Sequence, residues 1–125
     1  MSFKYVLMVL LITPMLAKRY DKTGVLLCNG KPAGLLPDRP YVKVWEYDFG
    51  FEDDYVGSAE VFADGSFVLH GETPFELFSY NFYGYAYHRC SPDYTCMKTE
   101  IDLDSDTVEL SGTGEEAGED ECFYS

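Results

Sequence analysis

Apolar and polar residues alternate with a period of two over much of the chain, the repeat that sends successive side chains to opposite faces of a strand. Val42-Lys43-Val44 shows it, whereas Phe67-Val68-Leu69 and Phe82-Tyr83-Gly84-Tyr85-Ala86-Tyr87 are marked instead by their β-branched and aromatic content. Segments of this kind, rich in β-branched and aromatic residues and bounded by Gly, Pro, Asn or Asp, predict seven strands over residues 23–28, 41–47, 55–62, 66–70, 79–88, 97–103 and 107–110. Helical periodicity is absent after residue 17. Asp64-Gly65 predicts a hairpin between Val61-Phe62 and Phe67-Val68-Leu69, because Gly accepts the positive φ of a tight connection. Pro32, Gly34, Pro37 and Pro40 predict a loop between the first two strands, since Pro donates no ladder hydrogen bond. Seven short strands in one chain bury their apolar faces by stacking two antiparallel sheets, so the expected fold is all-β, a seven-stranded β-sandwich.

The N-terminus breaks the pattern. Lys4, the apolar run from Tyr5 to Ile12, then Thr13, Pro14 and Ala17 follow the order of a secretory signal peptide, with cleavage expected after Ala17. The run falls short of the roughly 20 apolar residues of a spanning helix, and no transmembrane segment is expected in the mature chain. At the other end, residues 112–125 carry Glu115, Glu116, Glu119, Asp120 and Glu121 with little apolar content, and read as an open acidic tail. The expected organisation is a signal peptide over 1–17, one sandwich domain over 18–111 and a tail over 112–125.

Composition narrows the function. A chain of 125 residues forms one domain, and 46% hydrophobic with 17% aromatic residues is too rich for disorder. Nine Lys and Arg against 22 Asp and Glu leave a formal charge of −13, which repels polyanions and sets aside nucleic-acid binding. Cys28, Cys90, Cys96 and Cys122 all follow the export segment. An even set in an oxidising compartment predicts two disulfides, and the absence of a C-x-x-C pair argues against zinc. Cys90 with Cys96, closing a short loop, leaves Cys28 to tie the tail through Cys122. Three connectivities are possible, strand directions that gather all four cysteines at one pole allow any of them, and Cys28–Cys90 with Cys96–Cys122 is weighed beside the first.

Several blocks in order carry a resemblance. Leu26-Leu27-Cys28-Asn29-Gly30-Lys31-Pro32-Ala33, Val42-Lys43-Val44-Trp45-Glu46-Tyr47-Asp48, acidic Asp53-Asp54, Asp64-Gly65-Ser66-Phe67-Val68-Leu69-His70-Gly71 and Tyr87-His88-Arg89-Cys90 resemble the nematode transthyretin-like family. The resemblance implies a small secreted transthyretin-like β-sandwich and an extracellular binding or signalling role. After Cys96 the chain departs from the family: Met97-Lys98-Thr99-Glu100-Ile101-Asp102-Leu103-Asp104 is short and acidic where the family carries a longer basic strand.

Candidate chemistry is sparse. Enzymes of related fold that hydrolyse 5-hydroxyisourate use several histidines, an arginine and a Tyr-Arg-Gly-Ser terminus. This chain has His70 and His88 alone and ends Cys122-Phe123-Tyr124-Ser125, so no catalytic residue, cofactor or metal is expected. His88 reads as a partly buried histidine satisfied by the backbone. Asp48, Glu52, Asp53 and Asp54 lack the spacing of a calcium loop and read as solvated carboxylates. Tyr83, Tyr85 and Tyr87 share one strand face while Gly84 and Ala86 share the other. The tyrosines either fill the core or, with the small residues inward, form a partner surface, to which Phe49 and Phe51 in the acidic loop would add. The expected function is non-catalytic binding of an extracellular protein or small apolar ligand. The rivals are an oligomeric carrier of an apolar ligand and, behind it, a hydrolase.

Overall fold

The computed structural model describes residues 17–48, 50–74 and 81–124. Most of the predicted signal peptide, Phe49 and the predicted strand start at residue 79 lie outside them. The elements are β1 (Ala17–Cys28), β2 (Lys31–Pro32), β3 (Tyr41–Glu46), β4 (Asp54–Glu60), β5 (Ser66–Pro74), β6 (Phe82–His88), β7 (Met97–Ile101), β8 (Thr107–Glu109) and β9 (Glu115–Glu116), with short 3-10 turns at Ala33–Leu35 and Glu119–Cys122. The protein is an all-β sandwich of two sheets. In one, β1 pairs antiparallel with β2 and β5 and parallel with β8. The other runs β4-β3-β6-β7-β9, antiparallel throughout.

Alternation builds the core. On β5, Phe67, Leu69 and Thr73 point inward while Val68, His70 and Glu72 face solvent. On β3, Val42, Val44 and Glu46 point inward. Leu26, Val42, Val44, Val61, Leu69, Ala86 and Leu110 are fully enclosed between the sheets. Thr73 Oγ1 donates to Glu46 Oε1 at 2.7 Å, joining the sheets through a buried polar contact. Where edge strands β4 and β5 approach each other, glycine is required: a Cβ on Gly71 would lie 2.6 Å from the Val56 carbonyl oxygen.

Four expectations change. The Asp64-Gly65 turn is present, with Gly65 at φ 88° donating to Phe62 O and Phe62 donating to Ser66 O. It carries the chain from β4 in one sheet to β5 in the other, so it is a crossing between sheets and not a hairpin within one. The disulfides are Cys28–Cys90 and Cys96–Cys122, the second of the two pairings. Cys90 packs in the core between the sheets, whereas Cys96 packs with Tyr41, Tyr87 and Cys122 in a second cluster, which separates the two cysteines of the short loop. The acidic C-terminal segment is not an open tail: β9 extends the sheet from β7, and Cys122 is buried. The first strand also starts earlier than predicted, pairing with β5 from Ala17↔Pro74 to Val25↔Ser66.

Gly71→Ala should lower stability by about 1–3 kcal/mol, because the added methyl has backbone in its way and the sheets must part. Urea unfolding should show a lower midpoint with an unchanged slope.

Candidate functional site

Strand β6 lies between β3 and β7, and its alternation decides what each sheet face carries. Gly84, Ala86 and His88 are buried. A Cβ on Gly84 would come within 3.1 Å of Leu103 Cδ2, so the inner side has little room. Tyr83, Tyr85 and Tyr87 therefore take the outer side. Across the ladder they meet Trp45, Lys43 and Tyr41 of β3, all outward by the same period. A β-bulge between β3 and β4 sets Tyr55 opposite Trp45 while leaving both Val56 and Gly57 buried.

The result is an aromatic outer face in two halves. At one end Tyr41 stacks on Tyr87 at 4.9 Å, and Tyr124 tilts onto Tyr41 at 5.1 Å. Residues 117–124 cover this half: the Tyr41 hydroxyl donates to Glu121 O, and the Cys96–Cys122 bridge lies in the same cluster. At the other end Trp45 meets Tyr55 edge-on at 5.3 Å and Tyr83 meets Tyr85 edge-on at 5.9 Å. A shallow depression of about 460 Å³ opens here, lined by Trp45, Glu52, Asp53, Tyr83, Tyr85, Tyr87 and Lys98. Lys98 Nζ sits 4.3 Å from the Tyr85 ring centroid.

Of the residues singled out in the sequence, Tyr83 and Tyr85 are half-buried on this face, whereas Tyr87 is 8% exposed beneath Tyr41 and the C-terminal arm. Phe51 is 79% exposed in the loop that leads to β4. Asp53 accepts from the Asp48 backbone N–H at 3.2 Å and from the Tyr83 hydroxyl. Burial, then the hydrogen bond to Asp53, pushes the Tyr83 phenol up to about 12, so it remains a neutral donor. Among the described residues no three His, Cys, Asp or Glu side chains gather as a metal set.

The histidines stand in separate environments. His70 is exposed on β5 with Nδ1 2.7 Å from Asp21 Oδ1. His88 is fully enclosed: its Nδ1 accepts from the Cys90 N–H at 3.0 Å. Nε2 therefore carries the proton and donates to Thr99 Oγ1 at 2.8 Å. Thr99 lies 3.2 Å from Thr113 Oγ1, which donates to Leu110 O. The chain of bonds locks a neutral imidazole between β6, β7 and the start of the arm.

Sequence reasoning missed Arg89, which anchors the arm. Its Nε donates to Asp38 at 2.9 Å, and its Nη1 donates to Glu119 at 2.8 Å and to Tyr94 O at 3.0 Å. Asp38 and Tyr94 both have positive φ, so one guanidinium holds two loops whose backbone is strained. Nothing in the spacing of those residues could have shown it. Trp45 was within reach, because it shares the outward register of Lys43 and Tyr41 in any strand reading of β3.

The family model of the transthyretin-like family matches residues 23–104. Comparison with curated proteins finds no match. Among solved structures, a 9R-lipoxygenase from Cyanothece PCC8801 is 14% identical, with a TM-score of 0.42, over 85% of this chain and 19% of that one. A likeness at that level carries no argument.

Desolvation lowers the His88 pKa to about 4 in the fold, against about 6.5 when the chain is unfolded. Above the unfolded value the histidine contributes no pH dependence. Below it the unfolded chain takes a proton that the fold refuses, so stability should fall by up to about 3 kcal/mol between pH 6.5 and pH 4. Urea unfolding across that range should show the slope, and His88→Gln should flatten it.

Proposed function

The chain belongs to the transthyretin-like family, and from that premise we propose that it is a secreted, non-catalytic binding protein that engages another extracellular molecule through the open half of its aromatic face. The observation that carries this reading is the row of Trp45, Tyr55, Tyr83 and Tyr85 on the outside of a sheet whose inner side is already filled. Rings of this type supply large contact area at low conformational cost, and Tyr and Trp are enriched in interfaces for that reason.

Export is supported by the two disulfides, which suit an oxidising compartment, together with the signal-like N-terminal run. A binding role without catalysis is supported by the two imidazoles. His88 is enclosed and hydrogen-bonded at both nitrogens, and His70 lies on the other sheet with a single carboxylate beside it. Neither presents the paired acid and base that proton transfer to a substrate needs.

Two tyrosines of one strand separate binding from stability. Tyr85→Ser should weaken capture of the partner from secretion medium about tenfold while moving the melting temperature by no more than about 2–4 °C. Tyr87→Ser should instead cost about 2–4 kcal/mol, since it empties the stack beneath the arm. Equal capture by wild type and Tyr85→Ser would overturn the reading. A native mass spectrum showing an oligomer with a retained small ligand would replace it with a carrier.

A further inference from the structure

We infer that the open half of the aromatic face takes a lysine- or arginine-bearing segment of another extracellular protein. The inference rests on that face being the binding surface, and adds the chemistry of its occupant.

The protein's own lysines show what these rings accept. Lys98 Nζ lies 4.3 Å from the Tyr85 ring centroid and 6.0 Å from that of Tyr87, and Lys43 Nζ lies 5.7 Å from that of Tyr41. A cation over a tyrosine face is drawn by the negative π cloud, and tryptophan does this best. Trp45 borders the same depression.

Carboxylates frame it. Glu52 and Asp53 line the depression beside Trp45 and Tyr83, and Asp53 is held in place by the Tyr83 hydroxyl and the Asp48 N–H. Glu100 stands opposite Tyr85 across the β6–β7 ladder and is exposed, and exposed Glu115 stands opposite Lys98 in the β7–β9 ladder. The tyrosines register this field. Burial is the largest cause of the raised phenols of Tyr83 and Tyr87, and Asp53, Glu100 and Glu121 push them the same way.

Charge also decides between occupants. At a formal −13 two copies of the chain repel, and an acidic or anionic partner meets the same barrier. A basic segment is steered toward the face, and its cations find both ring faces and carboxylates. The open rings lie on three neighbouring strands, with Tyr55, Trp45 and Tyr83 in register, so an extended segment can lay alternate side chains along them.

Trp45 is the chain's single tryptophan and reports on the site by fluorescence. The full disulfide-bonded protein is titrated with a blocked peptide of alternating lysine and glycine, with its fully acetylated twin, and with a neutral oligosaccharide. The expected result is a saturable change with the lysine peptide alone, weakening as ionic strength rises from about 0.01 to 0.15 M. Tyr85→Ser should weaken binding roughly three- to tenfold and Glu52→Gln roughly twofold. Glu52 is exposed, so its variant folds whatever Tyr85 does. If the acetylated twin binds equally and Tyr85→Ser weakens both, the face remains a binding surface and the cationic occupant is overturned. If the oligosaccharide binds and the lysine peptide does not, the occupant is a glycan and the inference fails. If lysine-peptide binding is indifferent to both variants, the inference and the proposed face fall together.

Discussion

Strand β6 has no large apolar side chain to offer the core over Gly84 and Ala86, and the sandwich is organised around that fact. Glycine and alanine let the sheets approach, so Leu26, Phe67, Leu69, Ile101 and Leu110 supply the core volume from neighbouring strands. The strand period of two then leaves the three tyrosines no choice but the outer side. Since β6 is the middle strand of five, what it turns outward becomes the centre of a sheet face. The aromatic patch is a consequence of how the core is packed.

A face of that size exposed to water is a liability, and the C-terminal arm removes half of it. Tyr124 and Cys122 cover Tyr41 and Tyr87, while Arg89 fixes Glu119, which in turn accepts from the Cys96 N–H at 3.1 Å. The arm thus has a covalent tie and an ionic one on the same short stretch. In a domain this small, a bridge closing a loop of 26 residues is worth about 3 kcal/mol and competes with the entropy of an otherwise loose acidic segment. The other bridge, Cys28–Cys90, joins the two sheets themselves.

What the sequence made legible was the alternation and little beyond it. Fold class follows from the strand signals, and period two sets Gly84 and Ala86 on one face of β6 and Tyr83 and Tyr85 on the other; which face turns inward stayed open, because periodicity fixes the grouping and only the room left beside Leu103 and Ile101 fixes the side. Strand existence is local, so local signals suffice. The Asp64-Gly65 turn was visible, but whether a turn stays within a sheet or leaves it depends on how β4 and β5 pair, which no dipeptide encodes. Two disulfides were legible but the choice between pairings was not, for a related reason: Cys90 and Cys96 are six positions apart yet belong to separate clusters. The arm was hidden because acidic composition resembles a solvated tail, and the cation that neutralises it, Arg89, is distant in sequence. The family match ends at residue 104, before β8 and the arm, so the resemblance could not supply it either.

The distribution of charge gives the open half its character. Several cations of the fold are committed: Arg89 to the arm, Arg19 to Asp21, Lys22 to Ser105 O, Arg39 to Glu60, Lys43 and Lys98 to ring faces. Many of the carboxylates stay in solvent and set the field. On such a surface, self-association through the uncovered Trp45–Tyr55–Tyr83–Tyr85 patch is opposed by long-range repulsion between like-charged copies. That repulsion is absent when the approaching surface is basic, so one excess of acid disfavours a second copy and favours the basic occupant proposed above.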